Sequence, residues 1–150
     1  MKDIKIIMIS SSGGHYEQLR MLQSLNDIFD LVWITEKTNY LEKADYLLPQ
    51  TGLKDKIFPI KMIKNIVLSS YIMIKEKPDY IISTGAMVSI PMLIIGKVFK
   101  KKIIFIETFA RINYGTKTGR FVYKFADLFI IQWQSLKETY PNAIYGGTIY

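Results

Sequence analysis

The chain has 150 residues, 49% of them hydrophobic, with 20 basic and 13 acidic side chains and a net charge of +7. This length suits one domain over 1–150, and the apolar content excludes a disordered chain. The lack of cysteine excludes disulfides and thiolate metal sites, and no stretch reaches the ~18 uninterrupted apolar residues of a spanning helix.

Strand and helix patterns alternate from end to end. Residues 4–10 form an isoleucine-rich run, charged only at Lys5, that reads as a buried strand, with too short a lead for a signal peptide. Ser11-Ser12-Gly13-Gly14 is a turn, and 15–25 is helical, with Leu19, Leu22 and Leu25 on one face. Residues 31–35 are a second strand, Thr38 caps a short helix reaching Lys43, and 46–48 is a strand ended by Pro49. Residues 57–60 are weakly extended, and 62–75 is a helix stopped by Pro78. A strand at 80–83, a Thr84-Gly85 turn and a helix over 87–99 follow, with Pro91 near enough to the helix start to be tolerated. Then come a strand at 103–107, a helix at 118–126, a strand at 128–132, a short helix at 135–140 and an edge strand at 143–145.

This alternation predicts an α/β fold: a Rossmann-like parallel sheet with helices on both faces. Such sheets bind ligands at the carboxyl ends of their strands. Those ends carry Ser11-Ser12-Gly13-Gly14-His15, Ser83-Thr84-Gly85, Glu107-Thr108-Phe109-Ala110-Arg111 and Gln132-Trp133-Gln134.

In the first loop, two glycines admit a close ligand and the following helix offers unpaired N–H groups to a phosphate or diphosphate. A tight turn without a ligand fits the two glycines equally well. Neither a three-glycine dinucleotide fingerprint nor a P-loop is present, although Glu36 lies where a ribose-binding acid would stand. His15, the single histidine, suits a general base or a residue that orients the substrate. Thr84 and Gly85 offer a hydroxyl and backbone to sugar or phosphate oxygens. Glu107, at the end of a buried strand, is expected either to pair with Arg111 or to line a ligand cleft with it.

The positive surplus favours an anionic partner. Basic residues gather at Lys54 and Lys56, at Lys61, Lys64, Lys75 and Lys77, and at Lys97, Lys100, Lys101 and Lys102. The last group ends the very apolar 87–99 segment, as an interfacial helix beside anionic lipid would, and it equally suits a helix C-terminus over a buried core. Nucleic acid is not expected as a partner, since no binding motif accompanies the charge.

Taken together, these loops resemble the oligosaccharide-biosynthesis family that includes the Alg-fourteen subunit of eukaryotes and bacterial capsule proteins of the PssD and CpsF type. The resemblance rests on Ser11 to His15 with Glu17 and Leu19, on Ile103-Ile104-Phe105-Ile106-Glu107-Thr108-Phe109-Ala110-Arg111, and on an ordered series after it. That series is Thr118-Gly119-Arg120, Ala126-Asp127, Gln132-Trp133, Tyr140-Pro141 and Tyr145-Gly146-Gly147. It implies the N-terminal half of a GT-B glycosyltransferase carried on its own chain, inactive alone and catalysing inverting transfer when assembled. Such a half binds a polyprenyl-diphosphate sugar acceptor at the cytoplasmic face of the plasma membrane. An Alg-thirteen-like catalytic subunit (PssE/CpsG type) holds most of the UDP-sugar, and this chain itself carries neither cofactor nor metal. Eukaryotic members carry an N-terminal anchor, so a chain opening as this one does points to a peripheral, capsule-type member.

On that resemblance His15 is the base or orients the acceptor, and Ser12, Gly13, Gly14, Thr84, Gly85, Glu107 and Arg111 line the acceptor and diphosphate cleft. Lys97, Lys100, Lys101 and Lys102 face the membrane, and Trp133, Tyr145 and Tyr150 face the partner. Two other readings remain open: a non-enzymatic membrane scaffold for a partner transferase, and a dinucleotide-binding Rossmann protein with ribose on Glu36.

Overall fold

A computed structural model describes residues 3–39, 43–52 and 55–150. The β-branched runs become seven strands: β1 (Lys5–Ser10), β2 (Asp30–Glu36), β3 (Tyr46–Leu48), β4 (Tyr80–Gly85), β5 (Lys102–Ile106), β6 (Leu128–Ile131) and β7 (Ile144–Tyr145). They form one parallel sheet in the order β3-β2-β1-β4-β5-β6-β7. Ile7 stands opposite Val32 on one side and Ile81 on the other, so the central strands are apolar on both faces. The chain reverses its winding between β1 and β4, which puts a crevice at the carboxyl ends of those two strands.

One face of the sheet packs under α2 (Phe58–Glu76), α3 (Ile90–Val98) and α4 (Lys117–Val122). Its core includes Ile9, Ile34, Ile81, Ile103, Phe105, Phe129 and Ile131. The other face carries α1 (Gly14–Arg20), with Tyr16 and Leu19 packed on Ile6, Met8, Leu31, Ile82 and Ile106. That layer is thinner. Tyr80, Ile104 and Ile130 remain only partly buried, beside Ile149 of the C-terminal segment.

Several elements differ from the sequence expectation. The 57–60 segment is not extended: Pro59 opens α2, where its missing N–H costs nothing, and the helix runs on to a left-handed Lys77. The apolar string Ile57-Phe58-Pro59-Ile60 imitates a strand because α2 is apolar on its outer side. The 15–25 helix stops at Arg20 and resumes as a 3₁₀ turn at Gln23–Asp27. The 87–99 helix likewise divides into a 3₁₀ turn at Met87–Ser89 and α3, with Pro91 in the first turn. The 118–126 helix starts one residue earlier and ends at Val122, its cap being Thr116, whose Oγ1 accepts the Gly119 N–H at 2.8 Å. The 135–140 segment is a 3₁₀ turn, Gln134–Glu138. In the 38–43 segment residues 40–42 lie outside the described residues, and Thr38 and Lys43 are not helical. Lys54 also lies outside the described residues.

Aspartates secure the amino edge of the sheet. Asp79 Oδ2 accepts the Lys5 N–H at 3.0 Å, and Asp127 Oδ2 accepts the Ile103 N–H at 2.9 Å. Asp127 also pairs with Lys97 at 3.1 Å and Lys102 at 3.5 Å. Partial burial pushes the Asp127 carboxyl up, but the Ile103 N–H and the two lysines outweigh it and hold the group below its ordinary value of 3.8. Its stabilisation is therefore present above that value and is lost as pH falls through the depressed one. Asp127→Ala should cost about 1–3 kcal/mol by stranding the Ile103 N–H, lowering the thermal midpoint by several degrees at pH 7. It should also flatten the acid limb of stability against pH, which thermal melts between neutral and acidic pH would measure.

Candidate functional site

The loops after β1 and β4 meet at the crevice and fix each other. His15 Nδ1 lies 2.7 Å from the Thr84 carbonyl, and Thr84 Oγ1 donates to the His15 carbonyl at 2.7 Å. The Ser11 N–H donates to the Gly85 carbonyl at 3.0 Å. A carbonyl can only accept, so Nδ1 carries a proton, and in the neutral ring the lone pair is on Nε2. Gly85, at φ +102°, has no substitute here, because a Cβ would stand 3.3 Å from the His15 ring in a left-handed backbone. The crevice thus brings together four sequence-predicted residues: Gly14, His15, Thr84 and Gly85. Gly13, at φ +73°, and Gly14 are exposed, and a Cβ on either would meet nothing within 4 Å.

Ser12, in the same loop, reaches Glu36 with its Oγ at 3.5 Å. Glu36 ends β2, is 5% exposed, and receives the Thr51 N–H at 3.5 Å. Burial pushes its carboxyl up, against the lowering effect of the Thr51 and Ser12 hydrogen bonds.

Glu107 occupies a different position from the one expected. It is 1% exposed, just beyond β5, and its carboxylate is filled from inside the protein. Oε1 accepts from Thr108 N at 3.0 Å and Thr116 Oγ1 at 2.9 Å, while Oε2 accepts from Thr116 N at 3.0 Å and Tyr140 OH at 2.6 Å. Burial, then the adjoining carboxylate, pushes the Tyr140 phenol far up. A Cβ on Gly119 would fall 2.1 Å from Glu107 Oε2, and one on Gly115 would fall 1.8 Å from the Tyr140 hydroxyl, so both glycines are set by this cluster. Glu107 therefore neither lines the cleft nor pairs with Arg111. Among the described residues no ion pair involves Arg111, and its guanidinium lies 4.7 Å above the Tyr114 ring. The loop that Glu107 anchors carries Arg111 out on its half-buried rim.

The residue that sequence reasoning missed is Gln18. Buried in α1 one turn after His15, its Nε2 donates to Thr108 Oγ1 at 3.1 Å. Its Oε1 accepts from the Phe109 N–H at 3.0 Å and from Gln132 Nε2 at 2.9 Å. Gln132 also donates to the Glu107 carbonyl at 3.0 Å, and its Oε1 accepts the Ile149 N–H at 2.9 Å. A polar residue inside the Tyr16–Leu19 apolar stripe was the available signal.

Trp133 and Tyr150 come together around Phe109. Trp133 Nε1 donates to the Phe109 carbonyl at 2.7 Å, and the two rings lie 4.9 and 5.4 Å from that of Phe109. Tyr145 stands apart on the edge strand β7, 49% exposed. Lys97, Lys100, Lys101 and Lys102 lie where α3 ends and β5 begins, at the amino edge and so across the sheet from the crevice. Two of them are engaged by Asp127.

Tyr140→Phe removes the shortest donor to Glu107 while keeping the ring, and should cost about 1–3 kcal/mol in chemical denaturation. Gly119→Ala should cost at least as much, because backbone and carboxylate must separate to admit the methyl group.

A family model described as "oligosaccharide biosynthesis protein Alg14 like" matches residues 56–149, more than half of the chain. The human UDP-N-acetylglucosamine transferase subunit ALG14 is 25% identical over 181 residues, covering 99% of this chain and 84% of that protein. The Yarrowia lipolytica subunit of the same name is 25% identical over 174 residues, covering 97% and 81%. Among solved structures, Acinetobacter baumannii MurG superposes with a TM-score of 0.71 at 14% identity, covering 88% of this chain and 42% of that one. A Staphylococcus aureus MnaA–UDP co-structure gives 0.73 at 15%, covering 97% and 43%. This chain spans less than half the length of either structure, and the likeness establishes a Rossmann-like fold of the kind that makes up half of a GT-B protein. The family match, read with the crevice that joins the loops after β1 and β4, places this chain in the Alg14-like oligosaccharide biosynthesis family.

Proposed function

We propose that this chain is the acceptor-side, membrane-associated subunit of a two-component, inverting glycosyltransferase. A catalytic partner of the Alg-thirteen type (PssE/CpsG in bacteria) would hold most of the UDP-sugar. Relatives named as UDP-N-acetylglucosamine transferase subunits support N-acetylglucosamine as the sugar transferred. The resemblance of the Ile103–Arg111 block to PssD- and CpsF-type proteins supports a polyprenyl-diphosphate sugar of capsular or extracellular polysaccharide synthesis as acceptor. The observation that carries the reading is the locked His15–Thr84 pair at the crevice. An acceptor hydroxyl attacks the anomeric carbon of the donor, the bond to UDP breaks, and the hydroxyl proton passes to His15 Nε2. Gly13, Gly14 and Gly85 admit the acceptor diphosphate, with Arg111 on the rim. Trp133, Tyr150 and the partly open sheet face at Ile104 and Ile130 are the surface offered to the partner, with Tyr145 at its edge.

Membrane attachment is assigned to α2 rather than to the lysines at the amino edge. Both sides of this helix are apolar in part. Its buried side carries Asn65 and Ser69 beside Ile72 and Met73, while Ile60, Ile63, Val67, Tyr71 and Ile74 are 56–61% exposed along one stripe. Lys56 lies just ahead of the helix, and Lys61 and Lys64 line a cleft of about 710 Å³ with Ile63, Val67 and Leu68. An apolar stripe with a basic border suits a helix lying in the interface of an anionic bilayer, here the cytoplasmic face of the plasma membrane. Among the described residues no helix is long and apolar enough to cross a membrane.

Transfer from UDP-N-acetylglucosamine to a lipid-diphosphate-sugar acceptor should require both this chain and its co-encoded neighbour. Full activity of the neighbour alone would reduce this chain to a scaffold. His15→Ala in the assembled pair should lower kcat by about 10²- to 10⁴-fold, and a loss under about tenfold would remove the general-base role. Val67→Asp/Tyr71→Asp should release the protein from phosphatidylglycerol-containing vesicles in sedimentation, whereas Lys100→Glu/Lys101→Glu should leave it bound. The opposite pattern would return membrane attachment to the amino edge.

A further inference from the structure

Two carboxylates stand almost fully buried at the carboxyl edge, and their circumstances are opposite. Glu107 has its four acceptor positions filled by donors at 2.6–3.0 Å. Glu36 is met more loosely, by Ser12 Oγ and Thr51 N at 3.5 Å each and by the Ser12 backbone N–H, and no ion pair among the described residues involves it. A carboxylate offers about four acceptor positions, so Glu36 keeps spare and weakly filled capacity in a place where burial penalises charge. The segments that flank it are open: a Cβ on Gly13 or on Gly52 would meet nothing within 4 Å. A second observation falls in the same place. Among the described residues Thr51 Oγ1 is buried with no hydrogen-bond partner, and so is Asn65 Oδ1, whose amide nitrogen holds the Pro49 carbonyl at the start of the same segment. Buried polar atoms without partners are rare in folded proteins, and Thr51 Oγ1, on a residue that itself contacts the loosely satisfied Glu36, points to a site completed by a ligand.

We propose that Glu36, with Ser12 and Thr51, is a diol-binding subsite that accepts hydrogen bonds from two neighbouring hydroxyls of the acceptor sugar while its diphosphate lies against Gly13 and Gly14. This inference rests on the acceptor-side reading above and adds to it the residue that discriminates among acceptor sugars. A site built to receive hydroxyl donors rejects analogues lacking them far more strongly than an apolar pocket does, because its own acceptors are left unpaired. The same chemistry would fit the ribose of a nucleotide, and the choice of probes separates the two.

The test is calorimetric binding to the full chain. The probes are citronellyl diphosphate, its glucose, galactose and N-acetylglucosamine derivatives, UDP and ADP. At least one sugar-bearing probe should bind more than tenfold tighter than citronellyl diphosphate. Glu36→Gln should erase that gain and leave citronellyl diphosphate unchanged. Because burial raises the Glu36 carboxyl above its ordinary 4.5, the folded state loses stability as pH rises past that value. Glu36→Gln should therefore unfold at the same or a higher temperature at pH 8, and a drop of several degrees would mark Glu36 as a structural strut and overturn the subsite. A sugar gain that survives Glu36→Gln, or no gain while citronellyl diphosphate still binds, would sink the subsite and spare the acceptor-side reading. Failure to bind any lipid diphosphate would take the acceptor-side reading down first. ADP or UDP binding tightly and losing affinity in Glu36→Gln would make the diol a ribose and overturn the assignment to the acceptor.

Discussion

The site depends on a reciprocal pair of hydrogen bonds between His15 and Thr84, made where the sheet reverses its winding. Each residue gives the other a donor and takes one back, so two loops some seventy residues apart in sequence behave as one rigid piece. The pairing leaves the backbone no room for a side chain at 85, and it settles which histidine nitrogen remains basic. Without it, the polar ties of α1 to the crevice loops would be the Ser11–Gly85 backbone bond and Gln18, with Tyr16 and Leu19 still packed on the sheet.

Around that pair the carboxyl edge is held by a polar framework threaded through an apolar fold. Gln18 ties α1 to the loop after β5, Gln132 ties that loop to β6 and to the C-terminal segment, and Glu107 gathers Thr116 and Tyr140 beneath the same loop. Such a framework is costly to assemble in a low-dielectric interior and rigid once every member is satisfied. It gives the loops the fixed geometry that a reaction site requires, although Gln18, Gln132 and Glu107 are themselves too buried to meet a substrate.

The sequence made the fold largely legible because a fully buried parallel strand has an unmistakable composition, and β1, β4, β5 and β6 all have it. Pattern reading failed where two signals coincided. Ile57-Phe58-Pro59-Ile60 looked extended because an outward apolar face removes the polar spacing by which a helix is ordinarily recognised. At the site, the glycine loops and His15 were visible because few other tasks call for that combination at a strand end. Glu107 was visible as an anomaly, but its partners were not: Thr116 and Tyr140 approach it only through the tertiary fold. Gln18 was hidden for the same reason: its place between Tyr16 and Leu19 hinted at burial, but the two distant loops it joins do not show in sequence.

The exposed apolar stripe of α2 has a kinetic consequence. Its 19 residues make a rod of roughly 28 Å at 1.5 Å per residue, starting just past β3 at the edge that carries the crevice. Laid flat in a lipid surface, it would confine the protein and a membrane-held acceptor to the same thin layer. Encounter then becomes a search in two dimensions, and the effective concentration of acceptor follows its abundance in the leaflet rather than in the cell volume. Under that arrangement the crevice can bind each acceptor only loosely and still remain occupied, which leaves the product free to depart after each turnover.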